Sequence, residues 1–328
     1  VMFITTANDK DAIPRPLLDR MEVIELSGYL ETEKVEIAKR HLIPKQLEKH
    51  GLKKCQLTIA DEAIVELIRG YTHEAGVREL ERETAAVCRK AAMDIGSGKA
   101  RVRVGKQKLA AYLGAPKYTH GAIDAINEIG LANGLAWTSF GGETLQIEVQ
   151  IVPGSGQVIL TGKLGDVMQE SAKAALTFIK AHAEEFGITL PLDKKDIHLH
   201  VPEGAVPKDG PSAGITIMTA MLSALSGIPA RADTAMTGEI TLRGRVLEIG
   251  GLREKLLAAY RAGIKRVLIP KANEKDLSDV PDEVKANMEI IGVASAFDVI
   301  PLALEHTPQK TADAFIPQHA HSGAAAAQ

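Results

Sequence analysis

Cysteine is nearly absent. Cys55 and Cys88 are the only two in 328 residues, too few for a disulfide framework, which makes a reducing cytoplasm the default compartment. Aromatic residues are scarce as well, at 4% with a single tryptophan, Trp137. No apolar run reaches the roughly 18 residues of a membrane span, and no basic-apolar leader opens the chain. A glycine-rich phosphate loop is also missing. The stretch Gly96-Ser97-Gly98-Lys99-Ala100 has Met93 where the first glycine of such a loop belongs and Ala100 where a hydroxyl belongs, so it reads as a helix stop. No His/Cys cluster has metal-ligand spacing, so no metal site is expected. These absences exclude a disulfide scaffold, a helical membrane protein and a phosphate-loop NTPase complete in this chain.

What is present describes a chain with room for two ordinary cores: 45% hydrophobic residues and a mean hydropathy of -0.01. The net charge of -3 hides an asymmetry. Residues 1–118 hold 21 Lys+Arg against 17 Asp+Glu, and the remainder 18 against 25. The first part is thus compatible with weak contact to a polyanion such as DNA. With no dense basic stripe interleaved with aromatics, nucleic-acid binding is not the expected main role. Val1-Met2-Phe3-Ile4-Thr5-Thr6-Ala7 reads as a buried strand with no polar lead-in, as if cut from inside a larger protein. Residues 306–328 show no apolar period and read as a frayed tail.

The pattern changes near Pro116-Lys117-Tyr118, the expected linker. Before it the chain is mostly helical. A helix opens at Glu31 and runs toward His50, with Pro44 expected to kink or end it. Others start at Asp61 and Gly76, and residues 101–104 alternate as a short strand. After it, residues 135–138, 144–152 and 157–160 read as strands of a meander, followed by a long helix over 163–186. Strands at 197–201, 235–240 and 266–269 then alternate with helices, which argues for an α/β or α+β domain with helices packed on a sheet.

Two features of this second part carry chemistry. In Pro207-Lys208-Asp209-Gly210-Pro211-Ser212-Ala213-Gly214 a Gly/Pro turn delivers Ser212 to the start of an apolar helix. Free backbone N–H groups and the positive end of the helix dipole point there, which suits an anionic tetrahedral intermediate. In Gly250-Gly251-Leu252-Arg253-Glu254-Lys255 the helical period puts Lys255 at the border of an apolar face. A lysine denied water can fall from a pKa of about 10.4 by up to ~3–5 units and become a base. Serine and lysine together would form a nucleophilic dyad. The plain alternative is a capping serine and a snorkelling lysine. His198 and His200 share a strand face with Asp196, which leaves open a Ser-His-Asp scheme, whereas a zinc site would need a third and fourth ligand that no further cluster offers; equally they are polar residues near the serine turn. Residues 144–152 also read as an edge to which an extended peptide could add, with Leu145, Ile147 and Val149 on the strand and Trp137 as a wall.

The serine block, the block Thr237-Gly238-Glu239-Ile240-Thr241-Leu242-Arg243-Gly244 and the lysine block together resemble the proteolytic domain of the ATP-dependent Lon proteases. The resemblance extends from Val1 to about Leu304. It implies an α+β chain: a mostly helical AAA+ small domain ending an AAA+ module over 1–118, an α/β Ser-Lys protease domain over 119–305, and a flexible tail over 306–328. Ser212 would be the nucleophile and Lys255 its general base, with Thr237 holding the lysine and the turn 210–212 supplying oxyanion donors. Asp209 and Glu239 would line the site and His200 would support it. Asn8, Arg20 and Arg78 match sensor 1, the arginine finger and sensor 2, residues that read a nucleotide only in an intact protein holding ATP and Mg. Peptide hydrolysis itself would need no cofactor. The family implies a six-membered ring acting in the cytoplasm on damaged or unfolded proteins. A ring-forming module with an unassembled dyad is the competing class, and peptide hydrolysis separates the two.

Overall fold

Three clusters of buried apolar side chains organise the computed structural model, which describes residues 2–7, 13–24, 28–118, 126–138, 141–189, 191–202 and 208–309. The first cluster belongs to residues 38–109. Leu42, Leu47, Ile64, Leu67, Leu80, Val87 and Leu109 meet there, under the helices Asp61–Tyr71 and Arg78–Gly96. Leu57–Ile59 and Val102–Val104 close it as a parallel pair. The helix Lys106–Leu113 was not legible as a period, because only Leu109 on it is fully buried. Cys88 lies in this core, and burial pushes its thiol up to about 11.

Pro44 neither ends nor breaks its helix. Glu31–Ile37 and Ile43–Lys49 are joined by a π-helical turn, Ala38–Leu42, in which the Ile43 N–H reaches back to the Ala38 carbonyl. A proline in a regular α-helix clashes with the carbonyl four residues earlier and cannot donate to it. The wider turn just before it makes room. The strand expected over residues 1–7 is not formed in its described part, 2–7. Residues 2–7 carry no regular structure, and Met2, Phe3 and Ile4 are more than four-fifths exposed. No described strand runs beside them, and an apolar run becomes a buried strand only with a partner.

The second part is built on a seven-stranded sheet. Its order is Glu289–Val293, Arg266–Pro270, Thr234–Met236, Leu131–Thr138, Gly141–Pro153, Lys195–His200 and Val158–Thr161. The expected meander is corrected at its third strand. Leu131–Thr138 and Gly141–Pro153 do form an antiparallel hairpin. The chain then passes outside Lys195–His200, with which Val158–Thr161 pairs in parallel. The detour is set by Asp196, whose carboxylate accepts the Ser155 and Gln157 N–H groups at 2.8 Å each, while a Cβ on Gly154 would run into it.

Both faces of the sheet are covered. Met236 and Leu268 point into one core with the helices Asp166–Ala181 and Gly214–Ser226. Their neighbours Ala235, Val267 and Ile269 point into another with the helix Leu252–Arg261, as strand alternation requires. Gly214–Ser226 is buried along nearly its whole length. Its polar residues are satisfied internally: Thr216 donates to the Met236 carbonyl at 3.2 Å and Thr219 to that of Ile215 at 2.8 Å.

Candidate active site

Ser212 sits in a single 3-10 turn, Pro211–Ala213, that leads into Gly214–Ser226. The turn is entered through Gly210 at φ 130°, a conformation that side chains disfavour. Its far side is pinned to the segment after Thr234–Met236. The Ser212 carbonyl accepts the Gly238 N–H at 2.8 Å and the Thr237 hydroxyl at 3.2 Å, and the Ile215 N–H donates to the Gly238 carbonyl. A Cβ on Gly214 would lie 2.7 Å from the Ile240 nitrogen, so the two segments can approach only through a glycine.

Lys255 comes from the opposite face of the sheet. It is 2% exposed on the helix Leu252–Arg261, and its Nζ donates to Thr237 Oγ1 at 3.1 Å. Thr237 is itself fully buried, so one hydroxyl ties the lysine to the serine backbone. Burial alone brings the ammonium down to about 8. At neutral pH an appreciable fraction of such an amine is unprotonated and able to take a proton. The Ser212 hydroxyl makes no hydrogen bond to any described residue.

The remaining expected residues fall unevenly. Asp209 Oδ1 accepts the Met168 N–H at 3.0 Å and the Gly210 N–H at 2.8 Å. It caps the start of Asp166–Ala181 from across the chain, and it occupies one of the expected oxyanion donors. Glu239 is half-buried in the two-residue strand Glu239–Ile240, paired with Leu247. His198 and His200 share a face as expected, yet both turn to Thr161 Oγ1, at 3.0 and 2.7 Å. Neither bonds to Ser212 among the described residues, and no group of three metal-ligating side chains occurs among them.

The groove residues divide. Trp137 is 59% exposed and rests on Gly251, where an added Cβ would lie 2.9 Å from the ring. Leu145 is half-buried. Ile147 and Val149, placed in the expected groove, have their side chains in the core, so a peptide beside this strand would meet its backbone, the main-chain contact expected of it. Nor is the strand a continuous edge. Among the described strands, residues 141–148 pair with Leu131–Thr138 and residues 148–153 with Lys195–His200, so residues 141–147 have a strand on one side only, while the Val149 N–H still donates to the Gly130 carbonyl at 2.7 Å. Arg20 and Arg78 are exposed, and Asn8 lies outside the described residues.

Residues 103–306 match the family model of the Lon protease (S16) C-terminal proteolytic domain, and residues 48–104 that of the Lon protease AAA+ ATPase lid domain. The chain belongs to the Lon protease family. It is 58% identical over 308 residues to a Lon protease of Nitratidesulfovibrio vulgaris, covering 93% of this chain and 38% of that protein. To the Lon protease of Escherichia coli it is 55% identical over 311 residues, covering 94% and 40% respectively. To that of Brucella suis biovar 1 it is 52% identical over 336 residues, covering 100% and 41%. The chain thus spans about two fifths of the length of the curated relatives it matches.

Four residues of this Lon-family site escaped the reading of the sequence. Gly142 allows the helix of Lys255 to close on the hairpin, since a Cβ there would run into the Glu254 carbonyl. Arg261 Nη2 donates to the Gly142 carbonyl at 2.7 Å from the end of the same helix. His73 of the lid bonds to Glu143 of the hairpin at 2.9 Å. The pair Gly141-Gly142 was the one visible signal, and it reads equally as an ordinary turn.

Proposed function

We propose that this chain hydrolyses peptide bonds as a Ser-Lys serine endopeptidase, with Ser212 as nucleophile and Lys255 as general base. The observation that carries the reading is the buried Lys255, bonded to the Thr237 hydroxyl that also holds the Ser212 backbone. The neutral lysine takes the Ser212 proton as Oγ attacks the peptide carbonyl. The resulting ammonium then protonates the leaving amine, and water releases the acyl group by the same steps. The oxyanion forms against the turn 210–212 and the start of the serine helix. One donor there, the Gly210 N–H, is free only when Asp209 lets go, which makes Asp209 a gate on the site. Glu239 and His200 border it, and the open side of residues 141–147 beside Trp137 and Leu145 receives the extended substrate.

The reading divides the chain at 1–118, 119–305 and 306–328: end of the AAA+ module with lid, protease domain, and tail. Its place is a homohexameric cytoplasmic Lon protease that degrades damaged or unfolded proteins in stress and quality control. Asn8, Arg20 and Arg78 serve ATP and Mg only in that full protein, DNA contact is incidental, and no membrane is involved.

A gel time course with casein and a stably folded protein, with and without Mg-ATP, tests this. Unfolding a stable domain costs about 5–15 kcal/mol, and no phosphate loop is present in the chain to draw that work from ATP. Casein should be cut at the same rate in both conditions and the folded protein spared. Ser212→Ala should abolish cleavage. Residual turnover above about a hundredth of wild type, or loss of activity to a chelator with rescue by zinc, refutes the dyad.

A further inference from the structure

A cavity of about 320 Å³ lies where the lid meets the helix of Lys255. One wall is residues 28–34 and 69–75, the other the hairpin glycines 141 and 142 with residues 254–261. Two cations stand in it. Lys34 is 5% exposed, and its Nζ donates to the Glu74 carbonyl. Arg261 gives one N–H to the Gly142 carbonyl. Neither makes an ion pair among the described residues. Burial lowers the pKa of Lys34; Glu74 opposes this and the charge of Arg261 adds to it, so the two cations stand within each other's field.

The carboxylates of the same walls are mostly committed elsewhere. Glu31 is held by both Nε and Nη2 of Arg69, at 2.7 and 2.8 Å. Glu283 takes the Tyr260 hydroxyl at 3.1 Å, and Glu74 takes the Leu80 N–H at 2.8 Å. Glu254 alone has no hydrogen-bond partner among the described residues. Lys34 is a buried positive charge whose one hydrogen bond is to a carbonyl oxygen, which is costly, and an anion placed between it and the more exposed Arg261 relieves that cost. Leu30, Leu257 and the rings of Tyr29 and Tyr260 supply an apolar side.

We propose that this junction cavity binds a small organic oxyanion, a carboxylate or phosphate carried on an apolar group, between Lys34 and Arg261. Such a ligand touches the lid and the lysine helix at once, so it fastens one to the other. Binding does not depend on the peptidase reading, because the readout is affinity.

The probes are phenyl phosphate and benzoate, with inorganic phosphate and acetate as bare headgroups and chloride at matched ionic strength. Calorimetric titration should show saturable one-to-one binding of at least one aromatic probe, tighter than its headgroup alone, with a higher Tm than in chloride. Tighter phenyl phosphate assigns a phosphate site, and tighter benzoate a carboxylate site. Lys34→Met and Arg261→Met should each weaken binding at least tenfold. Leu257→Trp should abolish it with both cations in place. In the wild-type protein, the probe should shift the Lys34 side-chain NMR signals, a reading that needs no variant. The site is refuted if no probe outdoes chloride, if Lys34 does not respond to a probe that binds, or if affinity survives in the Leu257→Trp variant.

Discussion

At 2% exposure Lys255 has almost no water around its ammonium, and burial takes its pKa from 10.5 to about 8. Activity that needs the neutral amine should rise with pH and reach half its plateau near pH 8. The same shift acts on stability with a definite sign. The unfolded chain holds the Lys255 proton up to about pH 10.4, whereas the folded chain gives it up near 8, so this lysine's contribution to stability rises with pH between those values. Below pH 8 the folded state carries a penalty on the order of 3 kcal/mol. Lys255→Met should therefore be inactive and yet more resistant to urea than wild type at pH 7, with the gain fading above pH 8. A variant that is less stable at pH 7 would show that the buried charge costs nothing.

The lysine is placed by an element that is itself clamped along its length. Trp137 rests on Gly251 at the start of Leu252–Arg261, Gly142 meets Glu254 one turn on, and Arg261 closes the end on the Gly142 carbonyl. Gly142→Ala forces the helix off the hairpin, because a backbone carbonyl cannot yield as a flexible side chain does. The expected result is a loss of about tenfold or more in kcat/KM, with the pH midpoint moved upward as Lys255 gains water. An unchanged midpoint would place the harm elsewhere. None of this clamp was legible in the sequence, since Gly142 and Glu254 are more than a hundred positions apart. The local signals were legible: the Gly210-Pro211 break ahead of Ser212, the apolar helix behind it and the helical period around Lys255. Ile147 and Val149 show the limit of such signals. Apolar alternation marks one face of a strand, but the sequence does not say whether that face meets a core or a substrate. His198 and His200 were correctly put on one face, yet their partner Thr161 comes from a parallel neighbour that no local pattern announces.

On the scale of the whole molecule, the lid core and the protease cores are separate, and the His73–Glu143 pair bridges them. The hydrogen bond to Glu143 raises the pKa of His73, and its counterpart from His73 lowers that of Glu143. A raised histidine contributes its full stabilisation below about pH 6.5 and loses it as pH climbs through the folded value. Both side chains are about a third exposed, so solvent screens the pair and the effect is small. By scanning calorimetry the two parts should melt closer together at pH 5.5 than at pH 7.5. In His73→Gln the spacing should not follow pH. Wild-type transitions equally spaced at both values would remove this bridge from the account.

Eleven of the 13 residues in Gly214–Ser226 are buried, and Ser212, the proposed nucleophile, lies in the turn that leads into this helix. A helix enclosed on all sides has no cheap local opening, so its amides should exchange with deuterium only through global unfolding, slower than those of the lid helices. The working lifetime of the nucleophile on heating is then set by one rate, that at which the whole protease part unfolds. Exchange of residues 217–225 faster than that rate would mean that the serine can be lost while the fold survives.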